Sequence, residues 1–508
     1  MGIDVDAGMQ SNHSEVLVIG SGMGGMSAAT LLANDGFQVR VLEGDHLPGG
    51  SSSTYFRKGF LFETGATTLI GFDKYQPLAR LEDKLDIRLP RKEILPPMMV
   101  WMKDKPIIRY KDRKAWIEEA SSYFGNSKGQ QQFWQTAFRV ADAVWKVSAR
   151  NPFFPPQNFA EWIKLITNNN PLDAPVLRYG LMSVRQVAQK YGIDTPEFIR
   201  FLDEQLMITA QSGSEDTPFL FGAAGLTYTN YSNFYVHGGL IQLIRTLQKK
   251  LETDGGELKC KQRVTNITKE GDLYRVRTNT DEEFTSSVVI CNLPIWNMPE
   301  VVDETMKPWF DRFSGKYDYA WGAVTLAIAT DDTFPDDLPL HHQFHVHQPM
   351  PNVNSNSLFV SLSMRGDHQR APEGQRVLSV SCHTKPELWF QMDEVYKERK
   401  NQTESFILEF LNDKLPGFKS DRVNTAFSAT PVTWQKWIFR KLGRVGGIPQ
   451  SMKRSLLDWT PAQTPFEGLF MVGDTVFPGQ GIPGVTLSGI NVFYRVKKAV
   501  KSGMVSVA

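Results

Sequence analysis

The sequence predicts an α/β fold in which a nucleotide-binding domain, assembled from separate stretches of chain, is interrupted by an inserted α+β domain. Three observations predict it. A wholly apolar run, Val16 to Ile19, passes straight into a glycine-rich turn and a small-residue helix. A strand, glycine turn and amphipathic helix recur near the other end, from Gly468 to Lys501. Between them the hydrophobic period switches from helical spacing to short β-branched runs.

In chain order, residues 15–72 open with a βαβ unit: strand Val16 to Ile19, a helix to Gly36, and a second strand from Val39 to Leu42. Residues 73–226 carry helical spacing, many aromatics and punctuating prolines, and read as a mainly helical insertion. Within 227–295, strands from Arg263 to Ile267, Tyr274 to Val276 and Val288 to Ile290 return the chain to the nucleotide domain. Residues 296–440, with runs such as Val324 to Ile328, Ser357 to Ser363 and Val377 to His383, read as an antiparallel substrate-domain sheet. Residues 441–503 complete the nucleotide domain.

A chain of 508 residues supports two or three domains at roughly 150 residues each. Its 56 basic and 55 acidic side chains leave a net charge of +1, which gives no electrostatic drive toward nucleic acid. Three scattered cysteines, Cys260, Cys291 and Cys382, supply neither a disulfide framework nor a zinc site and suit a reducing cytoplasm. The polar stretch Met1 to Ser14 lacks the pattern of a secretory signal, and no apolar run approaches the ~18–20 residues that span a bilayer.

Gly20-Ser21-Gly22-Met23-Gly24-Gly25 follows the first strand and opens the helix, and Glu43 closes the second strand near the expected offset of about 20 residues. Gly20 permits the turn, Gly22 lets the backbone approach a pyrophosphate at the helix end, and Gly25 lets the helix lie on the strand. Glu43 is placed for ribose hydroxyls and repels a 2′-phosphate, which favours FAD or NAD over NADP. Pro48-Gly49-Gly50-Ser51-Ser52-Ser53 adds a second glycine turn able to follow an extended pyrophosphate and ribityl chain, the flavin alternative.

Glu467-Gly-Leu-Phe-Met-Val-Gly473-Asp474-Thr-Val-Phe-Pro-Gly-Gln-Gly481-Ile-Pro483-Gly484-Val485-Thr486-Leu-Ser-Gly489 resembles the signature of the carotenoid desaturase and isomerase family, which includes the bacterial phytoene dehydrogenases. Thr64-Gly65-Ala66-Thr67, His237-Gly238-Gly239-Leu240 and Cys291-Asn292-Leu293-Pro294 extend the resemblance over nearly the whole chain. It implies an amine-oxidase-like two-domain flavoprotein, with a Rossmann-type FAD-binding domain and a substrate domain over the flavin ring. FAD is then the cofactor, with Gly473, Asp474, Gly481, Gly484, Val485, Thr486, Thr67 and Thr68 added to the loop residues. Val264 is either an adenine contact through its main chain or a core strand residue. Gly443-Arg444-Val445-Gly446-Gly447-Ile448-Pro449 and the length resemble carotenoid isomerases and carotenoid 3,4-desaturases most, and the reading favoured from that resemblance is a desaturase of a carotenoid end group, with hydride passing to FAD. The alternatives are a cis–trans isomerase using reduced FAD without net redox and a related retinoid or carotenoid saturase.

Acid–base candidates are His237, beside the glycine pair, and Asp203 and Glu204 in the insertion. His341, His342, His345 and His347 crowd within seven residues, but no cysteine or spaced carboxylate completes a metal set, so no metal is expected and a solvated strand or loop is. Trp134, Phe138, Ala141 and Trp145 recur at helical spacing, followed by Phe153, Phe154, Phe159, Trp162 and Ile163. They read either as core and tunnel lining or as a monotopic, membrane-facing patch that admits a lipophilic carotenoid. The expected location is cytoplasmic, at a membrane surface. No residue points to the electron acceptor.

Overall fold

The computed structural model describes residues 12–506 except 66, 104, 170, 318, 392, 393 and 456, with 171–174 described by their backbone. Ala66 of the Thr64–Thr67 segment and most of the polar amino-terminal stretch lie outside the described residues.

One domain is built on a five-stranded parallel sheet, in the order Leu469–Met471, Val288–Cys291, Val16–Ile19, Val39–Leu42, Glu257–Lys259. The three central strands carry almost unbroken apolar runs because the sheet is covered on both faces. Helices Met23–Asn34, Ile241–Thr253 and Ile482–Lys501 cover one face. The other face packs on the antiparallel strands Val264–Glu270, Leu273–Thr278 and Glu283–Ser286 and on helix Lys307–Ser314. The helices that begin at the two glycine motifs touch through small residues. A Cβ on Gly489 falls 2.5 Å from the Gly24 carbonyl oxygen and 2.8 Å from Ser27 Cβ, so any side chain there drives them apart.

The second domain holds a seven-stranded sheet, in the order Val423–Ala429, Gly322–Asp331, Gln375–Thr384, Ser357–Leu362, His341–His345, Met98–Trp101, Pro106–Arg109. Its pairings are antiparallel except that of His341–His345 with Met98–Trp101, which is parallel. Two strands therefore come from the stretch read as mainly helical: each is four residues long, too short for period-2 alternation to outweigh its helical surroundings. Helices Arg113–Phe124, Ser127–Arg150, Pro196–Ala210 and Phe219–Leu226 stack beside the sheet. Trp116, Trp134, Phe133, Phe198, Phe201 and Phe219 form their fully buried core.

Arg109 is buried in that core with its guanidinium 4.2 Å above the Trp116 ring. It donates to Gln205 Oε1 and to Leu226 O (2.5 Å), and Gln205 Nε2 donates to Gln343 Oε1. Gln343 Nε2 in turn reaches Glu204 O and Ser357 Oγ, both at 2.9 Å. This polar string fixes helix Pro196–Ala210 against the sheet and sets the direction of the Glu204 side chain.

His341, His342 and His345 are not solvated. The strand lies inside a sheet covered on both sides, and all five of its residues are buried. Burial pushes the imidazoles of His341, His342 and His345 down to about 4, 3 and 3, so each is neutral at pH 7. Trp101 Nε1 donates to His342 Nδ1 (3.1 Å). Among the described residues no three His, Cys, Asp or Glu side chains converge as a metal set.

Candidate functional site

The two glycine motifs converge where strands Val16–Ile19 and Leu469–Met471 end. Helices Met23–Asn34 and Ile482–Lys501 start after Gly22 and Gly481, with no side-chain cap and no acidic residue in the first turn. Both open on one cavity of about 1030 Å³. Free N–H groups at a helix start need a polar or anionic partner, and two such starts at one cavity suit an extended dinucleotide. Asn292 is the hub of this cradle. A Cβ on Gly22 meets its Nδ2 at 2.7 Å, a Cβ on Gly473 meets its Oδ1 at 2.8 Å, and Nδ2 donates to Gly20 O at 3.3 Å.

Of the residues expected at the cofactor, Gly20, Gly22, Met23, Gly24, Glu43, Gly50, Ser51, Ser52, Thr67, Thr68, Val264, Gly473, Asp474, Gly481, Gly484 and Val485 line the cavity. Gly25 and Thr486 do not. Gly25 serves the turn, where a Cβ falls 2.3 Å from the Gly20 carbonyl oxygen, and Thr486 Oγ1 donates one turn back to Ile482 O (2.7 Å). Glu43 Oε2 accepts from Ser21 N (2.9 Å) and Ser21 Oγ (2.5 Å), and Oε1 accepts from Asp45 N (2.9 Å). Only lone-pair capacity on Oε1 is left for a ribose hydroxyl, and burial raises the carboxyl above the usual range. Asp474 Oδ2 accepts from Arg440 Nη2 at 2.8 Å, so a guanidinium borders the cavity although none follows Gly49-Gly50.

Past this cradle the cavity continues between helix Pro196–Ala210 and the seven-stranded sheet. Apolar walls come from Ile70, Val144, Trp145, Ile208, Phe221 and Phe359. Polar groups on these walls include Glu204, Thr325, Ser357, Ser381, His383 and Gln211. Gln211 Nε2 lies 3.1 Å from Gln480 Oε1 and 3.3 Å from His383 Nε2, and burial lowers His383 to about 4. Glu204 is buried at 9% exposure, and desolvation raises its carboxyl to about 7. Arg200 and a hydrogen bond with Ser357 oppose that rise, and Asp203 adds to it.

The other two acid–base candidates lie outside the cavity lining. Asp203 is the neighbour of Glu204 on the helix, about 100° around its axis, so the two carboxylates face different ways. Its Oδ1 accepts from Ser214 N (2.6 Å), and Arg185 stands 3.7 Å from Oδ2. His237 has a side chain 44% exposed, 3.8 Å from Asp367. Its glycine pair turns the chain inward, while the imidazole stays at the surface.

Residues 23–496 match the family of flavin containing amine oxidoreductases. The chain belongs to that family. The flavoprotein is 28% identical over 502 residues to a chloroplastic prolycopene isomerase from Daucus carota, covering 96% of this chain and 80% of that one. It is 23% identical over 503 residues to a 4,4'-diaponeurosporene oxygenase from Staphylococcus aureus, covering 95% and 97%. Among solved structures, a redesigned putrescine oxidase superposes with a TM-score of 0.63 at 14% identity, covering 96% of this chain and 99% of that one. The fold is therefore that of an amine-oxidase-like flavoprotein, the cofactor is FAD, and the chain is an FAD-dependent oxidoreductase.

Sequence reasoning missed Asn292, Arg440, Gln211 and His383 as lining residues of this flavoprotein. Asn292 had a signal: an amide placed directly after the wholly buried strand Val288–Cys291. Arg440 lies in irregular chain, and Gln211 and His383 meet only through tertiary packing.

Proposed function

We propose that the flavoprotein rearranges double bonds of a carotenoid-like polyene, with Glu204 as the group that gives and takes the proton. The observation that carries this reading is the Glu204 carboxyl, buried on the wall of an apolar chamber continuous with the FAD cradle and poised near neutrality. A general acid–base group works best when its pKa lies near the working pH. Glu204 donates to one polyene carbon, which leaves a delocalised cation of lowered bond order. Rotation follows, and the carboxylate recovers the proton from the same carbon. The polar string from Arg109 through Gln205 and Gln343 holds the helix during that exchange, and the apolar walls exclude water. Bound FAD supplies a planar two-electron group that is electron-rich when reduced. The likeness to prolycopene isomerases over nearly the whole chain supports isomerisation without net oxidation.

Desaturation is the second reading, favoured by the uncapped starts of helices Met23–Asn34 and Ile482–Lys501, since positive helix ends favour a reduced, anionic cofactor. Glu204 then acts as base only. Anaerobic incubation with acyclic-ended carotenoids, using oxidised enzyme in one arm and pre-reduced enzyme in the other, separates the two. Isomerisation gives a product of unchanged mass from the pre-reduced arm. A product two hydrogens lighter, with bleaching of the oxidised flavin, replaces it with desaturation.

The same proposal places the enzyme on a membrane surface from which the polyene enters. Helix Phe159–Thr167 buries its carboxylate Glu161 and exposes Phe159, Trp162, Ile163 and Ile166, the reverse of a helix facing water. Leu177 and Leu181 extend the exposed apolar set. Glu161 is tied to Arg495 (3.4 Å) and Lys498 (2.7 Å) of the carboxy-terminal helix. Phe133, Trp134, Phe138 and Ala141 are core instead, and Trp145 faces the cavity, so helix Ser127–Arg150 leads from the chamber wall toward the patch. Among the described residues no helix is long and apolar enough to cross a membrane. Neutral liposomes should float the protein in high salt, and Phe159→Glu with Ile166→Glu should abolish flotation. Salt-sensitive flotation, or flotation unchanged in that variant, counts against a hydrophobic attachment.

A further inference from the structure

The acid–base chemistry above leaves unused a polar string that starts at the FAD cavity and ends in a second, separate space. Thr67, on the cavity wall, accepts at Oγ1 from Ser361 Oγ (2.8 Å), and Ser361 Oγ lies 2.8 Å from His341 Nδ1. Because the Ser361 proton is directed at Thr67, Nδ1–H of His341 is the donor to Ser361, and Nε2 carries the lone pair. That Nε2 is buried and has no partner among the described residues. His341, Ser361 and Thr67 also border a space of about 10 Å³ whose other walls include Glu63, Arg370, Tyr235 and Ser379. A site of that size with several polar walls is suited to one buried water.

The far side of this space connects to the surface. Tyr235 Oη donates to Asp367 Oδ2 (2.7 Å), and Asp367 stands 3.8 Å from the half-exposed His237. Glu63 and Arg370 form a buried ion pair at 3.3 Å, which places fixed charge beside the water-sized site. The charged and titratable groups around His341 are thus Glu63, Arg370 and Tyr235 across the space and His342 on its own strand, the last engaged by Trp101.

We propose that His341, Ser361 and Thr67 form a proton relay between the FAD cavity and a buried water at Glu63, linked to solvent through Tyr235, Asp367 and His237. Inward passage runs as follows: Nε2 takes a proton from the water as Nδ1–H passes its own to Ser361 Oγ, and the water recovers a proton from solvent by way of Tyr235, Asp367 and His237. The Ser361 proton moves to Thr67 Oγ1, and the Thr67 proton enters the cavity. One proton is transported, no electron moves, and the imidazole changes tautomer. Outward passage restores the first tautomer, so one uptake and one release complete a cycle of cofactor reduction and reoxidation. The relay requires only that the cavity holds FAD and is independent of the polyene reading. A neutral imidazole suits it, since both nitrogens exchange without a buried cation having to form.

Stopped-flow reoxidation of reduced, FAD-loaded protein by benzoquinone, in H2O and in D2O, tests it without any polyene. In Ser361→Ala and His341→Phe the rate should fall at least about tenfold and the solvent isotope effect should change, as expected when a positioned proton carrier is removed. FAD affinity and midpoint potential should stay at wild-type values. Wild-type rates in both variants overturn the relay. A second measurement needs neither variant nor flavin: ¹⁵N-histidine spectra of the flavin-free protein should show His341 as the Nδ1–H tautomer. The Nε2–H tautomer overturns the proposal as well.

Discussion

Gly22→Val should give a folded, colourless protein whose affinity for FAD is lower by more than about a hundredfold, ~3 kcal/mol. Gly22 ends the loop that leads into the first helix and lines the cavity, and the space beside it is occupied from one side already: a Cβ would stand 2.7 Å from Asn292 Nδ2. The two further methyl groups of valine then project where the pyrophosphate must approach the helix start. Circular dichroism separates loss of fold from loss of cofactor, and titration with FAD followed by flavin fluorescence gives the affinity. A double variant identifies the cause. Because Asn292 itself belongs to the cradle, the Asn292→Gly single variant is the reference. If collision with Asn292 were the whole effect, Gly22→Val combined with Asn292→Gly would bind FAD as that single variant does, whereas an obstructed cradle leaves the double variant weaker than it.

Glu204→Gln should lower turnover by about 10²–10⁴-fold while making the protein more stable in alkaline buffer. The sign follows from the shift. Burial raises the carboxyl from 4.5 to about 7, so the folded state favours the uncharged acid. Wild-type stability is full below pH 4.5, declines as pH rises through the interval to 7, and above it is lower by about 3 kcal/mol. Glutamine carries no such penalty. Thermal unfolding of the two proteins should therefore coincide at pH 4.5 and diverge at pH 8, with the variant melting higher. Equal melting at both pH values would mean that Glu204 is solvated and titrates alike in the folded and unfolded chain. The rate profile of the wild type reads the role directly: as an acid, Glu204 loses activity as pH rises through about 7, and as a base only, it gains.

The cofactor half of the molecule was readable in the sequence because its constraints are local. A loop whose backbone must approach a phosphate leaves glycines at fixed spacing, and strands buried on both faces leave unbroken apolar runs, as at Val16–Ile19 and Val288–Cys291. The substrate half is less legible because its constraints are tertiary. His341–His345 reads as a wet strand from composition, and only the cover on both sides of the sheet makes it dry. Asp203 and Glu204 are adjacent carboxylates on one helix, and which of them meets the chamber depends on how the Arg109–Gln205–Gln343 string seats that helix. His237 shows the converse: a residue next to glycines of the flavin motif whose own side chain turns to solvent.

The parallel sheet takes its strands from positions as distant as Val16–Ile19 and Leu469–Met471, and the flavin cradle is shared with the helix that follows the latter. During synthesis at about 5–20 residues per second, roughly 20–90 s separate the first of these strands from the last. Throughout that interval the growing chain on the ribosome exposes one edge of an incomplete sheet and half of a cofactor cradle. Flavin loading therefore follows the synthesis of helix Ile482–Lys501. The yield of holoprotein in a cell should depend on how well chaperones shield that edge, and on the FAD available once that helix has formed.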